Sequence, residues 1–325
     1  MKKNKVVIWG HKNPWHTHFF IHNAYFKAFR ALGWSVFWFD DNDDVGNFDF
    51  NNVLFFTEDQ ASKNIPLIKN AKYILHHCKL EKYDEAGCSY INLGNFLIND
   101  LSRNSSIRQQ INYFTEFEPS TKTLYQPWAT DLLPDECAQT IFPLDESLTN
   151  INYVGTIYGD LLNEFNLFNS ACVYLGKKFE NHVSSGAPFK AKSGIVSEFF
   201  RKVYYKTKKH ILHENPITDD VARKLIETSY IAPDIRNSQH RAVGYVPCRI
   251  FKNISYGKIP ATNSLLVKDF FPVALPFSQN VSNLLTVNID AYNLSDSERI
   301  FNYLLQDVKL NHTYLNRIES ILKVL

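Results

Sequence analysis

The chain is 325 residues long, 45% hydrophobic and 21% charged, which excludes disordered and fibrous classes and favours two globular domains of about 120–200 residues each. A formal charge of +2 excludes the dense basic footprint of a nucleic-acid binder, and five scattered cysteines with no Cys-x-x-Cys pair exclude a disulfide framework or zinc ribbon. No run approaches ~18 apolar residues and the apolar start, Val6 to Trp9, is short for a signal peptide, so no transmembrane segment and a reducing cytoplasmic location are expected.

In chain order, "KVVIWG" reads as a buried strand ended by Gly10. The polar loop "HKNPWHTH" leads to an amphipathic helix over residues 19–32, stopped by Gly33. "WSVFWFDD", "NVLFFT", "AKYILHHC" and "YINL" read as the second to fifth strands, with helical stretches such as "EDQASKNIPLIKNA" (residues 58–71) between several of them. Short apolar strands alternating with helices predict a parallel sheet covered on both faces.

Near "TLYQPWATDLLPDE" the rhythm breaks, and Pro127 and Pro134 flank a polar segment that reads as a linker. "INYVGTIYGD" then repeats the strand-to-glycine pattern at Gly155, ahead of a helical "LLNEFNLFNSACVYLG". "KKFENHV" and "SYIAPDI" read as later strands, separated by the polar region around "SSGAPFKAKSG". The basic run "RKVYYKTKKH" (residues 201–210) reads as a solvated helix face; weak association with an anionic membrane surface or an acidic substrate is the other reading. A helix-rich tail ends the chain. The expected fold is α/β, with two Rossmann-like doubly wound domains, residues 1–127 and 128–300, facing each other across a cleft, and a tail over residues 301–325. Ligands of such sheets bind beyond the carboxyl ends of the strands.

The most informative stretch is "GYVPCRIFKNISYGKIPATNS" (residues 244–264). Pro247 suits the first turn of a helix and Gly257 its end. Ile250, Phe251 and Ile254 share one side, whereas Arg249, Lys252, Asn253 and Tyr256 fall within an arc of roughly 100° on the other. Two cations one turn apart suit a diphosphate, arginine as a bidentate fork and lysine as a point charge, with backbone N–H groups of the helix start adding donors. An ordinary polar helix face accounts for the same residue types, but the run lies directly before the strand-like "IPATNS".

An arginine, a short helix, a Gly-x-x-Pro and a strand together resemble the donor-binding signature of nucleotide-sugar glycosyltransferases with the GT-B fold. The resemblance extends to the two-domain plan, to "YVGTI" as the strand and glycine loop opening the donor domain, to "YQPWATD" as the interdomain linker, and to the tail. It implies an N-terminal acceptor domain, a C-terminal donor domain and a tail packing back on the first. It implies that Arg249 lies near the donor diphosphate and that Gly155 and Thr156 let a phosphate approach the backbone. The family's ribose-binding glutamate falls on Lys252, a departure that favours phosphate contact there. Lys252, Asn253 and Tyr256 complete the expected donor set.

Transfer of a hexosyl or deoxyhexosyl group from a nucleotide-sugar donor to a glycan or other hydroxyl acceptor needs stabilisation of a departing diphosphate and, for inversion, a general base. His11, His16 and His18 follow the first strand, and His76 and His77 end the fourth, where alternation sends the pair to opposite faces. His16, His18 and His77 are the base candidates, although each also fits a structural role. Asp234 is expected either to touch a sugar or to form a turn. The acidic "FDDNDD" run reads as a solvated loop, and no metal or cofactor besides the nucleotide-sugar cosubstrate is expected. Gly-x-x-x-x-Gly-Lys-Ser/Thr, Gly-x-Gly-x-x-Gly and Gly-x-Ser-x-Gly are absent, which counts against kinase, dinucleotide-oxidoreductase and hydrolase readings. A nucleotide-sugar epimerase and a non-catalytic sugar- or nucleotide-binding module are the alternatives.

Overall fold

A computed structural model describes residues 4–12, 17–59, 62–100, 103, 107–141, 144–155, 157, 161–182, 217–273, 275–286 and 295–325. The expectations at His16, at Thr156, around "SSGAPFKAKSG" and in the basic run at 201–210 lie outside the described residues.

The larger sheet has eight strands in the order β2-β1-β3-β4-β5-β8-β7-β6. Strands β1 (Lys5–Trp9), β2 (Ser35–Phe39), β3 (Leu54–Thr57), β4 (Lys72–His76), β5 (Ser89–Asn95) and β8 (Thr123–Gln126) pair in parallel. Helix α1 (Thr17–Ala31) connects β1 to β2 and places Ile21, Tyr25, Ala28 and Phe29, at helical spacing, against Val6, Ile8 and Phe56 of the sheet. The short α2 (Glu81–Glu85) precedes β5.

Two expectations change here. The described part of residues 58–71 forms turns, not a helix. Pro66 lacks an N–H donor, and the neighbouring backbone is claimed by side chains: Asp41 accepts from the N–H groups of Lys63 and Asn64, and Tyr73 Oη accepts from Ile68. The sheet is also mixed, not purely parallel, because β6 (Gln109–Asn112) and β7 (Thr115–Glu118) add an antiparallel hairpin beyond β8. These polar strands carry no apolar run to announce them. Ion pairs from Arg103 and Arg108 to Glu116, and the Arg108 guanidinium 3.9 Å from the Tyr125 ring centroid, hold them in place.

The second group of strands consists of two parallel pairs, β9 (Asn150–Val154) with β10 (Lys178–His182), and β11 (Ala232–Asp234) with β12 (Pro260–Thr262). Tyr230 N–H donates to Asn150 O and Asn152 N–H donates to Ser229 Oγ, both at 2.8 Å, which sets β9 beside the entry to β11. Helix α3 (Leu161–Tyr174) brings Phe165, Phe168 and Cys172 into a core with Ile151 and Tyr153. Helices α4 (Asp219–Glu227), α5 (Ser238–Val243), α6 (Cys248–Ser255) and α7 (Leu265–Phe270) follow, and α8 (Ser295–Asn311) lays Leu304, Leu305 and Val308 against Ile250, Phe251 and Ile254 of α6. Helix α8 therefore runs without a break through residue 301.

The last helix, α9 (Tyr314–Val324), inserts Tyr314, Ile318 and Ile321 into the same core as Tyr25 and Phe29 of α1. Arg317 is buried with them, and donates to the carbonyls of Pro127, Trp128 and Asn311 at 2.7, 3.1 and 3.0 Å. Three carbonyl partners substitute for water around the guanidinium. Among the described residues no helix is long and apolar enough to cross a membrane.

Candidate functional site

Helix α6 is the common element. Pro247 caps its start, and its end is closed by Gly257 at φ +78°, with Lys258 N–H reaching back to Asn253 O at 3.0 Å. From the first turn Arg249 extends to the carboxyl end of β9. Its Nη2 donates to Val154 O at 3.2 Å, and its guanidinium lies 4.2 Å from the Tyr153 ring centroid. Gly155, at φ +150°, follows directly; that backbone conformation favours glycine, and a Cβ there would displace the Arg249 guanidinium from its place against the backbone. Arg249 Nη1 is 4.0 Å from Asp234 Oδ1 at the end of β11. Asp234 is wholly buried, paired with Arg236 and accepting from Thr262 Oγ1 at 3.3 Å. Two guanidiniums thus share one carboxylate at the ends of two parallel strands, and Arg249 keeps part of its surface open.

The other polar residues of α6 have different partners. Lys252 Nζ lies 3.0 Å from Asp131 Oδ2 and 3.4 Å from Asp219 Oδ1, and Tyr256 Oη donates to Asp131 at 2.9 Å. Burial opposes charge on Lys252 most strongly of any single influence, but Asp131, Tyr256 and Asp219 together outweigh it and hold the lysine well above its ordinary pKa. Asn253 is buried and donates to Ala232 O at 3.2 Å. The polar arc expected to face a diphosphate as a unit is therefore divided: Arg249 goes to the strand ends, Lys252 and Tyr256 go to a carboxylate, and Asn253 ties the helix to β11. A helical wheel places residues on an arc but does not say what packs against it.

Asp131, Asp219 and Tyr256 line a cavity of about 450 Å³ together with Phe19, Phe20 and Asn23 of α1. That volume is in the range of small-molecule pockets. The opposite side of α1 carries His18 and His22, one turn apart, over the carboxyl ends of β1, β3 and β4. There the rings of His11, His18, His22, His76 and His77 gather, with Glu58 beside His18 and His11. His22 Nε2 and His76 Nε2 are 2.9 Å apart; Glu58 lies 3.4 Å from His18 Nδ1 and 3.8 Å from His11 Nε2. The rings of His18 and His77 stack at 5.4 Å, and those of His18 and His76 meet edge-on at 4.9 Å. Glu58, His22 and His76 are buried, and His77 is exposed.

Alternation predicts that His76 and His77 diverge, yet both rings approach His18. The cause is backbone: His77 has φ +53°, a left-handed conformation uncommon outside glycine, which ends the strand and turns its side chain back. Burial, then the neighbouring His22, His18 and His77, push the His76 pKa well below the ordinary histidine value; burial and then His18 push His77 down as well. Both imidazoles are neutral at neutral pH, the form that accepts a proton.

Of the residues singled out from sequence, His18 and His77 meet in this cluster, and Arg249, Gly155 and Asp234 meet at the strand ends. Glu58 and His22 join the first group, Arg236 joins the second, and Asp131 and Asp219 hold Lys252, none of them having been expected there. The His18–His22 spacing is a signal present in the sequence, whereas Glu58 lies in a stretch whose pattern imitates a helix. The acidic run is a turn: Asp41 accepts from Trp9 Nε1 at 2.9 Å, and Asp43 pairs with Lys12.

No protein-family model matches the chain, and no curated protein matches it by sequence. Among solved structures it is similar to the DNA-modifying enzyme β-glucosyltransferase, studied with and without the substrate uridine diphosphoglucose. The TM-score is 0.52 at 10% identity, over 98% of this chain and 99% of that one. The chain thus has a glycosyltransferase-like α/β fold across nearly its whole length.

Proposed function

We propose that the chain is a glycosyltransferase that moves a hexosyl or deoxyhexosyl group from a nucleotide-sugar donor to a glycan or other hydroxyl acceptor. The fold supports glycosyl transfer as a class. The observation that carries the finer reading is Arg249 held over Gly155 at the carboxyl end of β9, where a bare backbone and a partly open guanidinium suit a diphosphate. In this reading residues 1–127 form the acceptor domain and residues 128–300 the donor domain, both Rossmann-like and facing across a cleft, with the tail over residues 301–325 packed on the first.

The chemistry follows from charge. As the glycosidic bond to the diphosphate breaks, negative charge grows on the leaving oxygen, and a preorganised guanidinium stabilises it. Asp234 and Arg236 fix the position of Arg249, which therefore reorganises little during the reaction. On the acceptor side His18, with Glu58 behind Nδ1 at 3.4 Å, takes the hydroxyl proton on Nε2, and the carboxylate stabilises the imidazolium that results. Lys252 and Asp131 join the linker to α6 and position the helix.

The test is turnover: release of nucleoside diphosphate from a panel of nucleotide sugars, with and without glycan acceptors. Arg249→Ala is expected to lower kcat/KM about 10²–10³-fold, the usual effect of removing one preorganised donor, with an unchanged denaturation midpoint. Full turnover by a folded Arg249→Ala protein would contradict the assignment.

A further inference from the structure

The histidine cluster contains an arrangement that glycosyl transfer does not require. His18, His76 and His77 each offer one ring nitrogen, and the three nitrogens lie within 4.8 Å of one another. Around a tetrahedral zinc ion with bonds of about 2.0–2.1 Å, ligand nitrogens are roughly 3.3–3.4 Å apart. Small rotations of the rings close that gap, and His77, being exposed, has room for the largest one.

The protonation pattern agrees with ligation. His76 Nε2 is engaged by His22 Nε2 at 2.9 Å, and one of the two must be the donor. With the proton on His76 Nε2, its Nδ1 carries a lone pair, and that buried nitrogen has no hydrogen-bond partner among the described residues. Glu58 stands behind Nδ1 of His18, the carboxylate–histidine relation that directs the opposite nitrogen, Nε2, to a metal. The left-handed backbone at His77 is a strained feature that brings the third ring to the same place.

We propose that His18, His76 and His77 form a binding site for a late first-row divalent ion, zinc foremost, with a further coordination position open to solvent. Three imidazoles favour zinc, nickel or copper, whereas magnesium and calcium seek oxygen. The site is independent of the transferase reading. If that reading also holds, the metal occupies the His18 nitrogen that would take the acceptor proton, and metal-bound and transfer-competent forms alternate.

The experiment is titration of the chelator-stripped, untagged full chain with Co²⁺, followed by visible absorption, with Zn²⁺ as competitor. The expected result is one Co²⁺ per chain with the intense bands of low-coordinate, nitrogen-ligated cobalt, displaced by zinc. His77→Asn, chosen because asparagine tolerates the left-handed backbone, is expected to weaken binding about tenfold or more, and Glu58→Gln roughly 10–100-fold. His11→Ala is expected to leave the affinity near wild type. Circular dichroism establishes that each variant is folded. Absence of stoichiometric cobalt binding would overturn the proposal. So would affinity unchanged in folded His77→Asn, or lost in His11→Ala and kept in His77→Asn, which would move the metal to His11, His18 and Glu58.

Discussion

His312 shows how far a single side chain can be reasoned from its partners. Arg317 Nη2 faces its Nδ1 at 3.1 Å. A guanidinium only donates, so Nδ1 must be the acceptor and the proton must sit on Nε2, which faces Tyr113 Oη at 2.5 Å and Asp307 at 3.5 Å. The imidazole is therefore neutral, and burial holds its pKa down at about 4, with Asp307 opposing the shift. A folded-state pKa below the unfolded value means that the unfolded chain binds the extra proton. This contribution to stability is complete above about pH 6.5 and is lost as pH falls towards 4, on the order of 3 kcal/mol. Urea unfolding across that window should show the loss, and His312→Gln should reduce it. An identical pH dependence in wild type and variant would contradict the neutral assignment. Such a residue is illegible in sequence for the same reason as the partners of Lys252: Asp131 lies 121 positions away, and only the folded chain joins them.

Among the helices and strands, legibility follows local chemistry. Strands β1, β3 and β4 are readable because an unbroken run of three or four apolar residues between polar ones suits little besides a buried strand. Helix α6 is readable because Pro247 and Gly257 bracket a helical period. Residues 58–71 mislead because their acidic and apolar spacing imitates a helix, while Asp41 and Tyr73, which take the backbone donors, lie outside the segment. The β6–β7 hairpin escapes notice because charge pairing, not apolar alternation, stabilises it. Helix α9 is readable as a helix from its period, but its depth in the core of β1 and α1 depends on packing. Ile318 is wholly buried there. Ile318→Ala should destabilise the protein by about 2–4 kcal/mol, the cost of lost transfer energy and a cavity. A change below about 1 kcal/mol in denaturant titration would mean that α9 frays from the core without consequence.

Across the chain as a unit, both groups of parallel strands end in clusters of polar and titratable residues. The histidines and Glu58 follow β1, β3 and β4; Gly155, Asp234 and Arg249 follow β9 and β11. Helix α1 carries histidines on one side and, on the other, lines the cavity it shares with Asp131 and Asp219. The α/β class and the existence of helix α6 are legible in sequence. The division of labour along α6 and the gathering of five histidines are not, since both depend on which strand ends the fold makes neighbours. That Arg249 and Gly155 hold a donor diphosphate is tested most directly by calorimetric titration of nucleoside diphosphates and nucleotide sugars into wild type and Arg249→Ala. Saturable binding of at least one such compound is expected, weakened about tenfold or more by the substitution, the share of a charge-assisted bidentate contact. Binding of equal strength in both proteins, or of no diphosphate compound by the wild type, would contradict it.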